Sequence, residues 1–294
     1  MQRLKIINWN VRKAKSNSTA WDIIMQADAD VVTLQEVAGI PDFVKDRYKV
    51  HQKQTVSKSG IEQKFATAIL AKGDISDDLY LQSDFEWVNK ELTHFSGNLL
   101  ACQVKMEGFA PIHVVSVYSP AWPIPVTRLE GIDIAPIKLK QNPGQDIWCS
   151  EILWSALCTI PDLANEYWLV AGDFNSSTTF DLKRPRGNQE IIDRMNALGL
   201  TECLFSYTKK LTPTFKNACG GKVIHQLDHM YVSDMLHKAL ISTYIGDAEH
   251  IFGNSISDHV PIISEFNFKT PGHSLACDFD QMDRSESVRI YLEK

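Results

Sequence analysis

Short apolar runs that stop on a polar residue recur along this chain, and they set its predicted elements. Leu4 to Asn10 alternates loosely, carries Ile6, Ile7 and Trp9, and predicts a strand ending on Asn10. Val31 to Leu34 predicts a second buried strand, followed by Gln35 and Glu36. Between them, Asn17 to Ala27 sets Trp21, Ile24 and Ala27 at helical spacing behind a Ser/Asn capping region. Strand, helix and strand with short links make a βα unit. Pro41 to Tyr48 predicts a short helix opened by its proline. Lys53 to Gln63 is polar, with Ser57, Ser59 and Gly60, and predicts a mobile loop. Phe65 to Ala71, Asn98 to Met106 and Ile112 to Tyr118 predict successive strands.

Ser119 to Gly144 holds Pro120, Pro123, Pro125, Pro136 and Pro143. It reads as a surface excursion that serves as a binding loop. Asp146 to Thr159 predicts a helix leading into Trp168 to Asn175, WLVAGDFN. Its apolar run predicts a buried strand stopped by Gly172, where the missing Cβ lets the backbone turn. Asp173 and Asn175 then project from the strand's C-terminal end. Asn188 to Leu198 is an amphipathic helix ended by Gly199. Thr212 to Lys216, Gln226 to Val232 and Leu240 to Ile245 predict strands, with a short helix at Ser233 to Ala239. Asp258 and His259 head a last strand running to Phe268. With no break in composition, the expected architecture is α/β: one domain of two packed sheets flanked by helices.

Composition narrows the setting. The chain is 44% apolar and 22% charged, ordinary for a globular protein. No stretch reaches the apolar length of a membrane helix, and MQRLKIINWN has no signal core, so no membrane insertion and a cytoplasmic location are expected. Cys102, Cys149, Cys158, Cys203, Cys219 and Cys277 are scattered without a C-x-x-C pair, which suits reduced thiols. The net charge of −6 argues against indiscriminate binding to polyanions. Its distribution says more. Arg12, Lys13 and Lys15 follow the first strand, and Lys183, Arg184 and Arg186 follow GDFN, while acids gather at 74–91 and 278–286. Taken singly, each cluster reads as a solvated face.

The residues at the strand ends are the candidate chemistry. Asn10, Glu36, Tyr118, Asp173 with Asn175, Asp228, and Asp258 with His259 all stand at predicted strand ends, so one rim of the sheets can gather them. Each alone has a plainer reading: Asn10 as a turn cap, Glu36 as a solvated acid, Tyr118 as a packed ring. In order, Asn10, LQEV around Glu36, Tyr118-Ser-Pro, GDFN, Leu227-Asp228-His229 and Ser257-Asp258-His259 resemble the endonuclease/exonuclease/phosphatase superfamily, which includes deoxyribonuclease I. The likeness spans about residues 4 to 268. Arg12 departs from it, since abasic-site members usually carry an Asp there.

The resemblance implies a four-layer α/β sandwich, two mixed sheets packed face to face and flanked by helices. It implies a catalytic domain over 1–268 and a peripheral tail over 269–294. The activity implied is metal-dependent phosphodiester hydrolysis, most readily of DNA or RNA; the alternative is a phosphatase or phospholipase-like phosphodiesterase acting on a small phosphate ester or lipid headgroup. Glu36, Asn10 and Asp258 are the implied metal residues, and oxygen donors without thiolates suit Mg²⁺, or Mn²⁺. Asp173, Asn175, His259, Asp228 and Tyr118 are the implied catalytic set. Either Asp173 or His259 can take the proton of the attacking water. Arg12, Lys183, Arg184 and Arg186 are candidate substrate contacts, and Trp122, Phe180, Phe205 and Tyr207 candidate stacking surfaces. His113, His225 and His229 read as structural or solvent-facing. Nucleic acid is the expected partner, with no obligate protein partner evident.

Overall fold

The structure is a computed structural model that describes residues 2–76, 79–217 and 221–268. The 269–294 tail, the 278–286 acids, Cys219 and Cys277 lie outside the described residues. In chain order, β1 (Gln2–Ala14), α1 (Ala20–Ala27), β2 (Val31–Val37), α2 (Asp42–Arg47), β3 (Lys49–Val56), β4 (Glu62–Ala71) and β5 (Asp74–Ser76) open the fold. They are followed by α3 (Glu86–His94), β6 (Leu99–Lys105), β7 (Ile112–Tyr118), α4 (Cys149–Leu157), β8 (Trp168–Asp173) and α5 (Asn188–Ala197). The fold closes with β9 (Leu200–Glu202), α6 (Cys203–Thr208), β10 (Phe215–Lys216), β11 (Val223–His225), β12 (Asp228–Ser233), α7 (Asp234–His237), β13 (Leu240–Ile245), α8 (Ala248–Gly253) and β14 (Ile262–Phe268).

Two six-stranded sheets carry the molecule, in the orders β13-β14-β1-β2-β4-β3 and β5-β6-β7-β8-β12-β9. Each is mixed, with one parallel pair (β1 with β2, β7 with β8) among antiparallel neighbours. The layered α/β sandwich expected from the sequence is the observed one. The alternation along each strand explains the layering, because successive side chains point to opposite faces. On β1, Leu4 and Ile6 enter the core between the sheets, while Ile7, Trp9 and Val11 pack outward with Trp21 and Ile24 of α1. Val31 of β2, Leu169 and Ala171 of β8, Met230 and Val232 of β12, and Phe266 of β14 complete the inter-sheet core.

Several expectations change. The polar stretch Lys53 to Gln63 is no free loop: most of it forms the facing ends of the β3–β4 hairpin. β3 is an edge strand, so its side chains stay largely exposed and never show a core pattern. Of the 74–91 acids, Asp74 stands on β5 and Glu86 and Glu91 on α3, which buries Val88 and Leu92, while Asp77 and Asp78 lie outside the described residues. Gly172 does not stop β8, which continues through Asp173. A Cβ at Gly172 would strike the carbonyl of Val117, so this glycine lets β7 and β8 approach closely rather than turn. The 119–148 segment does run without a regular element apart from one short helical turn at Val126–Arg128.

Candidate active site

The inner faces of the central strands change character along their length. Beyond Leu4 and Ile6, the next two inward residues of β1 are Asn8 and Asn10, both buried. Thr33 and Gln35 do the same on β2, Ser116 on β7, Asp173 on β8 and Asp228 on β12. Asn8 Oδ1 accepts from Thr33 Oγ1 at 2.9 Å and from Gln35 Nε2 at 3.1 Å. Gln35 Nε2 also donates to Ser116 Oγ at 3.1 Å, tying one sheet to the other beneath the site. Polar groups buried in this way hold their neighbours in one arrangement, because each lost partner is costly.

Above that layer lie three ligand-bearing groups, Asp173, Asp228 and His259, whose donor atoms fall within 4.8 Å of one another. β8 and β12 run antiparallel with Asp173 opposite Asp228, which is how the fold sets two carboxylates side by side. His259 Nδ1 donates to Asp228 Oδ2 at 2.7 Å, and its Nε2 stands 3.9 Å from Asp173 Oδ2. Thr214 Oγ1 donates to the same Asp228 oxygen at 2.7 Å and accepts from the backbone N–H groups of Leu227 and Asp228. Asp228 Oδ1 is buried without a hydrogen-bond partner. Trp9 Nε1 donates to the His259 carbonyl at 2.8 Å, fixing the segment ahead of β14.

Asp173 is held from two further sides. Its Oδ2 accepts from Asn10 Nδ2 at 3.0 Å and Asn175 Nδ2 at 3.2 Å, and its Oδ1 accepts the Asn175 N–H at 2.9 Å. Asn175 Nδ2 also donates to the Ser119 carbonyl at 2.8 Å. Burial raises the Asp173 carboxyl to about 7 despite the opposing pull of His259. For His259, burial alone would lower the imidazole, but Asp228 and Asp173 together lift it to about 10. The two acids therefore favour the doubly protonated ring.

Glu36 lies at the half-buried edge of this cluster, where Tyr118 Oη donates to its Oε1 at 3.2 Å. The Phe65 ring meets the Tyr118 ring edge-on at 5.6 Å. Burial, with Glu36 next, pushes the Tyr118 phenol upward, so it remains a donor. Asp258 stands further out, 3.6 Å from Arg12 Nε, and Arg12 N donates to Asn10 Oδ1 at 3.0 Å. Backbone strain gathers here. Glu36, Asn175 and Arg12 have φ of 57°, 47° and 47°. Registers slip by a bulge between Leu34 and Val37 on β2 and between Asn10 and Ala14 on β1. Bulges re-aim side chains, and residues other than glycine stay left-handed only where surroundings hold them.

The sequence-predicted residues thus fall into distinct groups. Asp173 with Asn10 and Asn175, and Asp228 with His259, form two hydrogen-bonded groups that meet at the 3.9 Å approach of His259 to Asp173; Glu36 with Tyr118 adjoins them; Asp258 with Arg12 lies at the outer rim. The compact ligand cluster is Asp173, Asp228 and His259, and does not include the expected metal residues Glu36 or Asp258. Arg184 and Arg186 border a pocket that Asn175 and Ser119 also line, and Lys183 is exposed beside them. Phe180 lines the same pocket, whereas Trp122 packs against Phe95, and Phe205 and Tyr207 are exposed elsewhere. His113 stacks on Trp168, His225 meets Thr179 Oγ1 at 2.6 Å, and His229 is buried against the Ser176 carbonyl. The sequence reading missed Thr214 and the anchors Trp9, Ser119 and Ser257, whose Oγ donates to the Asn10 carbonyl at 2.7 Å. Ser257 was legible as the first letter of its SDH triplet; Thr214 left no local sign.

A sequence profile of the Endonuclease/Exonuclease/phosphatase family matches residues 7–259, the stretch containing every residue of the cluster. The chain belongs to this family. The family's name covers endonucleases, exonucleases and phosphatases, and the chain is a hydrolase acting on ester bonds. No curated protein matches the chain by sequence. Solved structures share the fold. An AP endonuclease from Archaeoglobus fulgidus superposes with a TM-score of 0.64 at 16% identity, covering 90% of this chain and 100% of that one. A Neisseria 3′ phosphatase, solved bound to a product DNA hairpin, gives 0.59 at 16% identity over the same shares. The endonuclease domain of the telomere-specific non-LTR retrotransposon TRAS1 gives 0.53 at 16% identity, over 91% and 100%.

The donor chemistry accepts a hard divalent cation. Glu36, Asp173, Asp228 and Asp258 supply carboxylate oxygens in and around the cluster, Asp228 Oδ1 is buried and unpartnered, and no cysteine stands among them.

Proposed function

We propose that this enzyme is a Mg²⁺-dependent nuclease, with Mn²⁺ able to substitute, cleaving DNA or RNA by attack of water on phosphorus. The observation that carries the reading is His259 held between Asp228 and Asp173, with the amides of Asn10 and Asn175 on that same Asp173 carboxylate. Glu36 would hold the cation, with Asn10 and Asp258 beside it, and the cation would neutralise phosphate charge and activate water. Asp173 takes the proton of the attacking water, since its carboxylate is the acceptor that surrounding donors aim at. His259, protonated and fixed by Asp228, donates from Nε2 to a phosphoryl oxygen as charge develops. Asn175 contributes an amide hydrogen there, giving up its longer bond, the 3.2 Å contact to Asp173. Tyr118 donates to phosphate or keeps Glu36 in place. Arg12, Lys183, Arg184 and Arg186 contact the backbone on either side. Residues 1–268 make up the catalytic domain, and the scattered cysteines favour a cytoplasmic setting.

The test uses labelled DNA and RNA with Mg²⁺ or with chelator. Cleavage should require the cation, weaken steeply with salt, and fall at least about a hundredfold in Glu36→Gln. Wild-type rates in Glu36→Gln, or full activity in chelator, would sink the reading.

A further inference from the structure

Beside the reaction centre, beyond Asn175 and Ser119, opens a pocket of about 600 Å³. This lies within the range of small-ligand sites, roughly 300–1,000 Å³. One wall is the 119–148 excursion and the other is the segment from Ser176 to Asn188. Both are irregular, and both are fastened by charged side chains, those behind the first wall buried. Glu190 accepts the Lys140 and Gln141 N–H groups at 3.0 and 2.8 Å, and Arg194 bonds the carbonyls of Ile137 and Lys138 and pairs with Glu190. Glu151 accepts from Leu139 N and Trp148 N, both at 2.7 Å. On the other wall Asp181 accepts from Arg186 N, Asn188 Nδ2 and Gln189 N. Glu151, Glu190 and Arg194 are 0%, 6% and 4% exposed. Burying charge to immobilise a loop is costly, and the return is a pocket shaped before its ligand arrives.

The lining names that ligand's chemistry. Trp148 and Phe180, both partly exposed, offer ring surface; Arg184 and Arg186 offer cations; Asp146 offers a carboxylate. A site for phosphate alone would gain nothing from Asp146, and an apolar ligand nothing from the two arginines. Rings for a base, a carboxylate for an amino group and arginines for phosphate together describe a nucleotide. The base edge must be free of pairing to be read in this way.

We propose that this pocket binds one unpaired nucleotide next to the scissile phosphate, and that Asp146 selects bases carrying an amino group. The proposal rests on the nuclease reading for its place in the reaction, but binding can be measured without turnover. Calorimetric titration in chelator compares AMP, CMP, GMP, UMP and ribose 5-phosphate on wild type, Asp146→Ala and Trp148→Ala. At least one amino-bearing nucleotide should bind about tenfold tighter than UMP and ribose 5-phosphate, the scale of one base contact. Trp148→Ala should weaken that nucleotide about tenfold. Asp146→Ala, at a partly exposed position, should bring the amino-bearing base and uracil together. Equal binding of ribose 5-phosphate or UMP by wild type overturns the proposal, as does an unchanged order of affinities in both variants with native circular dichroism. A wild type that shows the predicted order yet leaves labelled oligonucleotides intact in Mg²⁺ keeps the pocket and ends the nuclease reading. Cleavage without any such order does the reverse.

Discussion

The space between the two sheets has two ends built on the same strands and the same alternation, and they do opposite work. At one end Leu4, Ile6, Val31, Leu169, Met230 and Phe266 close a dry core. At the other Asn8, Asn10, Thr33, Gln35, Ser116, Asp173 and Asp228 occupy the equivalent inward positions, also buried. The apolar end gains from burial itself, about 1.5–3 kcal/mol for each large side chain. The polar end gains only what its hydrogen bonds return, and Asn8 Nδ2, Gln35 Oε1 and Asp228 Oδ1 return nothing. Stability is therefore concentrated at the apolar end, which lets the other hold charges in an arrangement suited to chemistry.

This division predicts which substitutions separate activity from stability. The largest effect is expected at Asp173→Asn, with kcat down about 10²–10⁴-fold on labelled nucleic acid. Its thermal midpoint should fall far less than its activity, because a carboxyl whose charge burial disfavours is replaced by a neutral group of the same shape. Phe266→Ala should do the opposite, losing about 3–5 kcal/mol in denaturant unfolding while each folded molecule keeps its turnover. A loss of turnover there would break the division. Ser116→Ala probes the boundary between the ends, since it strips one acceptor from Gln35 Nε2, and about 1–3 kcal/mol should go. The smallest effect is a slope. His259 is raised from 6.5 to about 10, so its contribution is complete below pH 6.5 and is lost as pH rises through 10. Asp173 is raised as well, so its burial costs more as pH climbs from 3.8 through about 7, the same direction. In chelator the wild-type midpoint should fall from pH 6.5 to 10, and His259→Gln should flatten that fall.

Much of this was present in the order of residues. Short apolar runs gave the central strands, with loose alternation along β1, and the polar residues that end those runs gave the candidate cluster. LQEV, GDFN and SDH in sequence pointed to the family. Alternation is a local property, so one strand at a time suffices to read it. The hairpin at β3 and β4 was hidden because an edge strand need not alternate. Thr214 was hidden because its role is one bond to an aspartate across a turn, which no spacing announces.

Tertiary structure decided what only meeting can decide. Antiparallel pairing of β8 with β12 set Asp173 opposite Asp228, and Trp9 and Ser257 drew the 257–259 segment over both. Bulges in β1 and β2 turned Arg12 and Glu36 out of the alternation that their strands obey elsewhere. The pocket beside Asn175 exists because Glu151, Glu190 and Arg194 bind the carbonyls and N–H groups of a distant proline-rich segment. A sequence lists donors and acceptors, and which of them pair depends on where the packed core carries the chain.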